Sequence, residues 1–394
     1  MKKNGISGQA NVIADELTAI YRKLHSHPEL SFKELNTSEY IKAYLETLGL
    51  AVKNKIGKTG VTAVLKGELP GNTIAVRADI DALPVHEEAR LSYKSQNDGI
   101  MHACGHDAHT TILLGAAKLL CSNRNKLKGT VKFIFQPAEE ISLGAKAMIK
   151  EGVLKDPEVD MIIATHVMSH IESGHIQVKA GLFLSAQDEF EIDIIGKGGH
   201  GASPQDTIDP IITGAQLIVA LQAIVSRKID PTCPAVVSAC QFISGTKPNV
   251  IPDKAYISGT IRSQDNKVRK IILDQIETIT KGVCLSFGAE YKLKINPQLS
   301  LTINDNEIVA DFVERSLDII EKPSIEILER PYMYGEDFSY FGQHIPSMMF
   351  FLGTYNEKKG CIHPVHSSRF MVDENILPLG TALITNYCLE RRIK

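Results

Sequence analysis

The sequence lacks the features that mark several classes of protein. Its seven cysteines are scattered, odd in number and without a CxxC pair, which favours a reducing cytoplasm over a disulfide framework. Lysine and arginine number 43 against 46 acidic residues, for a net charge of -3, so no basic excess indicates a nucleic-acid partner. No apolar core follows Lys2 and Lys3, and no run approaches membrane-spanning length, so we expect neither a signal peptide nor a membrane partner.

Length and composition suit a globular protein of two domains. The chain has 394 residues, of which 43% are hydrophobic, enough to bury two cores. Up to residue 184, strands such as Thr73–Ala78 alternate with helical patterns, which predicts an α/β domain with an open, mostly parallel sheet covered on both faces. Residues 185–296 follow the order β-α-β-β-α-β of a ferredoxin-like unit and are interpreted as an inserted domain. Residues 1–184 and 297–394 then form the first domain together.

The densest chemical signal is the segment MHACGHDAHTTILLGAAKLL at residues 101–120. Three histidines, one cysteine and one aspartate fall within eight residues, and imidazole and thiolate are ligands of divalent metals such as zinc. The apolar residues after them repeat at helical spacing, so the cluster is predicted to lie on a loop that enters a buried helix. Taken alone, the signal also fits a small core cysteine beside polar loop histidines.

Acidic and imidazole residues also follow three of the predicted strands. In an open α/β sheet, ligands bind outside the carboxyl ends of the strands. These residues are Asp79 and Asp81 after one strand, Glu139 and Glu140 after the next, and His166 after Met161–Thr165. We therefore expect them to lie at one edge of the sheet.

Five residues are candidate metal ligands. They are Cys104, His106, Glu140, His166 and His366. Five ligands are too many for one tetrahedral zinc with an open position, but they suit two divalent ions that share a bridging ligand and a water. Cys104, a thiolate when it binds a metal, is the candidate bridge.

Glu139 is the candidate general base. It stands beside Glu140, and adjacent residues of an extended segment point in opposite directions, so the two are not expected to share one role. Glu139 would take a proton from a metal-activated water and pass it to the leaving amine. A Glu-Glu pair is otherwise typical of a solvated surface turn, but this pair follows the apolar strand VKFIFQ.

The other histidines and two aspartates are given supporting roles. Asp81 is expected to orient a ligand imidazole through a hydrogen bond, with Asp107 as the alternative. Histidines 102 and 109 are interpreted as packing or orienting residues. The histidines interpreted as surface or structural residues are His25, His27, His170, His175 and His344.

The inserted domain carries two glycine-containing motifs, GKGGHGASP at 196–204 and GTKPNVIPD at 245–253. Glycines flank His200, which lets a ligand approach the backbone closely. Asn249 and Arg262 are candidates for binding an oxyanion or a substrate carboxylate. Without further information the glycines are equally typical of an ordinary turn.

Taken in order, the motifs resemble those of a known enzyme family. They are RADIDALP, MHACGHDAHT, FQPAEE, ATHV, GKGGHGASP, NVIPD, GTIRS, GEDF and HPVHSSRF. From about residue 20 to residue 380 the chain is similar to the metallo-amidohydrolase branch of the family that contains glutamate carboxypeptidase, aminoacylase and succinyl-diaminopimelate desuccinylase. That branch includes hippurate hydrolases, N-acyl-amino-acid amidohydrolases and auxin-conjugate hydrolases.

The resemblance implies a two-metal catalytic domain and a lid domain through which subunits often dimerise. It places the family's ligands on the same five residues and its base on Glu139. It also implies that His200, near Asn249 and Arg262, can serve the partner subunit's site. Whether His200 acts within its own chain or across the dimer stays open.

Two departures from the family pattern matter. The wider family has a metal-binding histidine two residues before the aspartate of its first motif, where this chain has Asp79. The last motif usually reads H-S/N-P-x-F, but Ser368 replaces the proline after His366. This leaves His363 as a rival for the final ligand.

The sequence therefore predicts a cytoplasmic metal-dependent hydrolase of the amide bond of N-acyl-amino acids. Its ions would be zinc, manganese, cobalt or nickel, because the ligand set tolerates several metals. Dipeptide or carboxypeptidase substrates are the nearest competitors. A cysteine hydrolase with Cys104 as nucleophile and a metal-stabilised binding protein are rivals of other classes. A homodimer through the inserted domain is expected from the resemblance alone.

Overall fold

The structure is a computed structural model that describes residues 5–392, and it divides into two compact units. Unit 1 comprises residues 5–183, Ile303–Arg330 and 337–392, and unit 2 comprises Leu184–Thr302 and Pro331–Glu336. Unit 2 therefore contains a short second segment that the sequence prediction of 185–296 did not include.

The regular elements are numbered in chain order. The strands are β1 (Ala51–Ile56), β2 (Gly60–Lys66), β3 (Leu69–Asp79), β4 (Lys128–Gln136), β5 (Met161–Glu172), β6 (Ile176–Val178), β7 (Gly181–Leu184), β8 (Ala186–Ile195), β9 (Gly199–His200), β10 (Ala235–Ser244), β11 (Val250–Ile251), β12 (Lys254–Ser263), β13 (Glu290–Leu299), β14 (Thr302–Asn304), β15 (Ile325–Ile327) and β16 (Ser347–Tyr355). The α-helices are α1 (Gly5–Val12), α2 (Ala14–His25), α3 (Leu35–Thr47), α4 (His106–Ser122), α5 (Gly144–Lys150), α6 (Pro210–Lys228), α7 (Asn266–Phe287), α8 (Asn306–Ser316) and α9 (Ile376–Glu390).

Unit 1 is built around an eight-stranded sheet with the order β1-β2-β4-β3-β5-β16-β6-β15. Its four central strands, β4, β3, β5 and β16, are parallel to one another. The pairs β1/β2, β2/β4 and β16/β6 are antiparallel. The central strands are buried along most of their length, as expected for parallel strands covered on both faces. The prediction of a mostly parallel α/β sheet is confirmed.

Helix α4 brings the His/Cys loop to this sheet. Fourteen of its residues are buried, and it packs against α2, α9 and β3. The metal-ligand motif lies directly before and within its first turn, because Gly105 occupies the N-cap and His106 opens the helix. The expectation of a loop that enters a buried helix is therefore correct.

The sequence predicted that His166 follows the end of a strand, but in the structure His166 lies within strand β5. Strand β5 continues from Met161 to Glu172, because β16 pairs with it as far as Glu172 and places Phe351 opposite His166. The polar residues Thr165 and His166 interrupt the apolar run but not the ladder of backbone hydrogen bonds.

Unit 2 has the predicted ferredoxin-like order. Its antiparallel sheet runs β10-β12-β8-β13, and α6 and α7 pack against it. Each helix is capped by an aspartate, Asp209 before α6 and Asp265 before α7, which accepts hydrogen bonds from backbone N–H groups that the helix leaves unpaired. Beyond one end of this sheet, β9 and β11 form a small ribbon that carries His200.

The expectation that no run approaches membrane-spanning length is wrong for one helix. Helix α6 is long and apolar enough to cross a membrane when only its length and composition are considered. In the structure it packs against β10 and β12 of unit 2, and a helix that packs within a domain core meets the same two criteria. Length and composition are therefore weak evidence for a membrane span here.

Candidate metal centre

Five side chains of unit 1 gather at the carboxyl end of the central strands. Cys104 Sγ lies 3.4 Å from His166 Nε2 and 3.3 Å from His366 Nε2. His106 Nε2 lies 3.7 Å from Glu140 Oε1, and His366 Nε2 lies 3.7 Å from Glu140 Oε2. The residues that the sequence picked as ligands are thus brought together from segments up to 262 positions apart.

Cys104 belongs to two separate donor groups. One joins it with His106 and His166, the other with Glu140 and His366, and in each group the ligand atoms lie within 4.8 Å of one another. A thiolate shared by two such groups has the placement of a bridging ligand. His363 is in none of the donor groups found among the described residues.

Gly105 makes the approach of the loop to β5 possible. Its φ is +86°, and a Cβ at this position would lie 2.3 Å from Val167 Cγ2. Only glycine adopts this backbone conformation without strain, and only glycine leaves room for the neighbouring strand. The residues on either side, Cys104 and His106, are therefore held against the strand that carries His166.

Glu139 and Glu140 lie in a turn and not in an extended segment. Ala138 (φ +52°) and Ser142 (φ +58°) flank them in the left-handed region, where residues other than glycine are strained, as often happens at functional sites. Because of this turn, one ligand atom from each of Glu139, Glu140 and His106 lies within 4.8 Å of the others. The sequence argument assumed an extended segment, in which the two carboxylates would point in opposite directions, and that assumption was wrong.

Asp81 ties the turn to the helix. Its Oδ1 lies 3.2 Å from His106 Nδ1, while the backbone N–H groups of Glu139 and Glu140 donate to Oδ1 and Oδ2, each at 3.1 Å. Asp107, the alternative, instead pairs with His25 Nδ1 at 2.6 Å. Asp81 is therefore the carboxylate that orients the His106 ring.

His166 is fixed in the tautomer that a metal requires. Its Nδ1 lies 2.8 Å from the carbonyl oxygen of Val167, and a carbonyl only accepts, so Nδ1 carries the proton. Burial, together with the neighbouring imidazoles of His109 and His106, holds the pKa of His166 well below its usual range. The ring is neutral, and the lone pair on Nε2 faces Cys104.

The charges of the other donors depend on one another. Burial lowers the pKa of His106, but the carboxylates of Asp79, Asp81 and Glu140 outweigh that effect and raise it to about 10. Burial raises the pKa of Glu140 to about 7. A divalent cation bound by both side chains would replace the proton that the His106 imidazole holds, because a metal ligand must be deprotonated.

Two buried atoms of this site lack a hydrogen-bond partner. They are His106 Nε2 and Glu140 Oε1. Burying a polar atom without a partner costs about 1–3 kcal/mol, and a cation coordinated by both atoms would remove that cost. With the thiol and imidazoles beside them, these residues fit a metal of the zinc type.

Two other histidines of unit 1, His109 and His25, are buried and paired with carboxylates. His109 Nδ1 donates to Asp79 Oδ1 at 2.5 Å, and His109 Nε2 accepts the Val167 N–H at 2.8 Å. Asp79 is thus engaged through both oxygens, because Arg77 Nη1 donates to Oδ2 at 2.7 Å. His25, interpreted as a surface or structural residue, is buried and structural.

The candidate binding residues of unit 2 lie at two ends of its sheet. His200 pairs with Val250 across the β9/β11 ribbon, and the Asn249 carbonyl accepts the Gly201 N–H at 2.9 Å. Arg262 lies near the far end of β12, where its Nη1 donates to the Met333 carbonyl at 3.1 Å. The ribbon brings His200 and Asn249 together, and Arg262 stands apart from them.

Sequence reasoning missed a set of residues beneath Glu139. Arg77, Gln136 and Asp337 are almost fully buried and hydrogen-bonded to one another. Arg77 and Asp337 belong to the motifs RADIDALP and GEDF, which were noted in the sequence without a role for either residue. The available signal was Arg77, a charged residue two positions before the end of β3, which could have indicated a buried ion pair.

Known proteins resemble this chain over most of its length. The sequence profile of peptidase family M20/M25/M40 matches residues 75–390. Thermostable carboxypeptidase 1 of Saccharolobus solfataricus is 44% identical over 93% of this chain and 93% of its own length. An N-acyl-L-amino acid amidohydrolase of Geobacillus stearothermophilus is 42% identical over 78% of this chain and 83% of its own. Among solved structures, a Bacillus subtilis protein described as a dinuclear metal-binding peptidase from the M20 family covers 96% of this chain and 98% of its own, with 35% identity and a TM-score of 0.82.

Proposed function

The chain belongs to peptidase family M20/M25/M40, and from this we propose that it hydrolyses the amide bond of N-acyl-amino acids at a site that holds two divalent metal ions. The family resemblance seen in the motifs is confirmed. The observation that carries the proposal is the pair of donor groups that share Cys104. The amidohydrolase relative described above supports the substrate class.

In the proposed site the residues divide into ligands and one base. Cys104, His106, Glu140, His166 and His366 would hold the ions, which when bound would polarise the scissile carbonyl and acidify a water molecule. Glu139 accepts a proton from the attacking water and returns it to the leaving amine nitrogen. Asp81 keeps the backbone of Glu139 and Glu140 and the His106 ring in position, because it bonds to all three residues.

The separation of the unit 2 residues supports a dimer. From Lys254, next to the ribbon that carries His200, to Arg262 there are eight steps along β12, or roughly 26 Å at about 3.3 Å per residue. A single N-acyl-amino acid is shorter than this. If both residues contact substrate, they serve different sites, so one of the two would act on the partner subunit's substrate.

The surface of unit 2 also supports a homodimer. Strand β10 is at the edge of the sheet and exposes Phe242 (39%) and Ile243 (62%), and α6 exposes Val219 (66%). An edge strand with apolar side chains readily pairs with another chain. A second copy of this chain placed against β10 and α6 would cover them.

A second candidate function rests on the carboxypeptidase relative of S. solfataricus. A carboxypeptidase and an amidohydrolase break the same kind of bond and would use the same ligands and base. They differ in what lies on the acyl side, which is a peptide in one case and a simple acyl group in the other.

The test is a substrate panel with the purified protein reconstituted separately with zinc, manganese, cobalt or nickel. The panel holds N-acetyl, N-benzoyl and N-succinyl amino acids, dipeptides and N-blocked peptides. We expect release of free amino acid from one or more N-acyl-amino acids, and loss of this activity with a chelator. Preference for N-blocked peptides by a hundredfold in kcat/KM would make the protein a carboxypeptidase. Activity that survives full metal removal would indicate a cysteine hydrolase with Cys104 as nucleophile.

The proposed location is the cytoplasm. All seven cysteines are free, four of them buried, which supports a reducing compartment. Separating cell fractions and probing for the protein tests this proposal.

A further inference from the structure

A buried network of charged and amide side chains lies next to Glu139, the proposed base. Arg77 Nη2 lies 3.1 Å from Asp337 Oδ1, and Arg77 Nε donates to Gln136 Oε1 at 2.9 Å. Gln136 Nε2 donates to the same Asp337 oxygen at 2.7 Å. The exposed fraction is at most 1% for each of these three residues.

The network holds Asp337 from two sides. Its Oδ1 accepts from Arg77 and Gln136, and its Oδ2 accepts the backbone N–H of Ala145 at 3.0 Å, at the start of α5. With both oxygens bonded to strand ends and to a helix start, the Asp337 backbone has little freedom to move. Asp337 is also the first residue of unit 1 after the segment Pro331–Glu336 of unit 2.

The backbone N–H of Asp337 donates to Glu139 Oε1 at 3.4 Å. This is a long hydrogen bond, but those of catalytic groups often lengthen without substrate and tighten in the reacting complex. A donor to one carboxylate oxygen restricts rotation of the carboxylate group. A general base beside a metal site requires such a fixed direction.

Arg77 connects this arrangement to the ligands. Its Nη1 donates to Asp79 Oδ2 at 2.7 Å, and Asp79 Oδ1 pairs with His109, which in turn accepts the Val167 N–H beside His166. Arg77 Nη2 is therefore linked to Glu139 through Asp337. Its Nη1 is linked through Asp79 and His109 to the backbone N–H of Val167, next to the candidate ligand His166.

We infer that Asp337, anchored by Arg77 and Gln136, is a positioning residue for Glu139: its backbone N–H sets the direction of the Glu139 carboxylate. The inference rests on the proposed function, because it needs Glu139 to be the base. Asp337 itself touches neither substrate nor metal in this role. Arg77 acts one step further away, by holding Asp337.

The experiment compares Asp337→Asn with wild type, each also in a Glu139→Gln background. Asparagine keeps the size and the backbone N–H but weakens the bond to Arg77, so the N–H is no longer held in place. We expect kcat to fall by about a hundredfold, the loss typical of a misplaced catalytic group, with KM and metal content close to wild type.

The double variant separates positioning from a general structural effect. If Asp337 acts through Glu139, Asp337→Asn should not lower the residual rate of Glu139→Gln any further. Asp188→Asn is the matched control, because Asp188 is also buried and pairs with Arg269 within unit 2. It should leave kcat unchanged.

Three results would overturn the inference. They are a wild-type kcat in Asp337→Asn, an equal fold-loss in both backgrounds, and a fall in metal content that accounts for the lost rate. If Asp337→Asn does not fold, Gln136→Met decides in its place: it removes one anchor of Asp337 and should lower kcat in the same direction by less. A Glu139→Gln variant with wild-type kcat would instead refute the proposed base, and the inference with it.

Discussion

One ring nitrogen of His106 faces Asp81, and the other is buried without a hydrogen-bond partner. Nδ1 lies 3.2 Å from Asp81 Oδ1, and Nε2 has no hydrogen bond. A carboxylate on the far side of an imidazole fixes the ring and makes its other nitrogen a better ligand. The pair therefore has the geometry of a metal-binding histidine with its orienting carboxylate.

Replacing Asp81 with asparagine should weaken metal binding. We expect metal affinity to fall by about 10–100-fold, as is usual when an orienting partner is lost, measured by competition with a chromogenic chelator. Ser31→Ala is the control, because it removes only the Ser31 hydroxyl that donates to Asp81 Oδ2 at 2.7 Å. If both variants bind metal like wild type, Asp81 does not orient His106.

Glu139 and Glu140 should respond differently to the same substitution. Glu139→Gln should keep its metal and lose kcat by about a factor of 10²–10⁴, the contribution of a general base. Glu140→Gln should lose metal affinity, because it removes the charge of a ligand. Elemental analysis and steady-state kinetics on both variants check this. If Glu139→Gln loses its metal and Glu140→Gln keeps full metal occupancy, then Glu139 is the ligand and Glu140 is the base.

Much of the candidate site could be predicted from the sequence. A parallel sheet places strand ends at one edge, so residues such as Asp81, Glu140 and His166 come to the same edge although the chain between them is long. The local chemistry of MHACGHDAH then indicated a metal. Both arguments need only strand order and residue type, which the sequence contains.

Other parts could not be predicted, for physical reasons. Arg77 and Asp337 are 260 positions apart, and no periodicity links the two partners of a buried ion pair. Helix α9 is buried on all sides, so it lacks the polar face from which an amphipathic helix is recognised. The turn at Glu139 depends on the backbone angles of Ala138 and Ser142, which neither residue type favours.

If the protein forms the proposed homodimer, mixed dimers can show whether His200 serves the partner's site. His200→Ala and Glu139→Gln should each be nearly inactive alone. In a mixed dimer, the chain with intact Glu139 would receive an intact His200 from the other chain, so about one quarter of wild-type sites should regain activity after random exchange. The assay is activity after the two variants are dissociated and reassociated together. Without recovery in dimers shown to be mixed, His200 acts in its own chain or not at all.

The buried His25 should make stability depend on pH. Its Nδ1 lies 2.6 Å from Asp107 and its Nε2 3.2 Å from Glu87. Burial lowers the pKa of His25, but these two carboxylates outweigh burial and raise it from 6.5 to about 9. The charged form is thus favoured by folding, and its contribution is complete below pH 6.5 and is lost as the pH rises through about 9.

His25→Gln should therefore be less stable than wild type mainly at low pH. A raised pKa of this size corresponds to at most about 3 kcal/mol in the free energy of unfolding, and the difference should shrink towards pH 9. Urea denaturation at several pH values, with both proteins saturated with the same metal, measures it. His86→Gln is the control, because the His86–Asp98 pair is exposed and an exposed ion pair contributes little to stability. A constant difference for His25→Gln would mean that His25 is neutral in the folded protein, and that its role is packing between α2 and the first turn of α4.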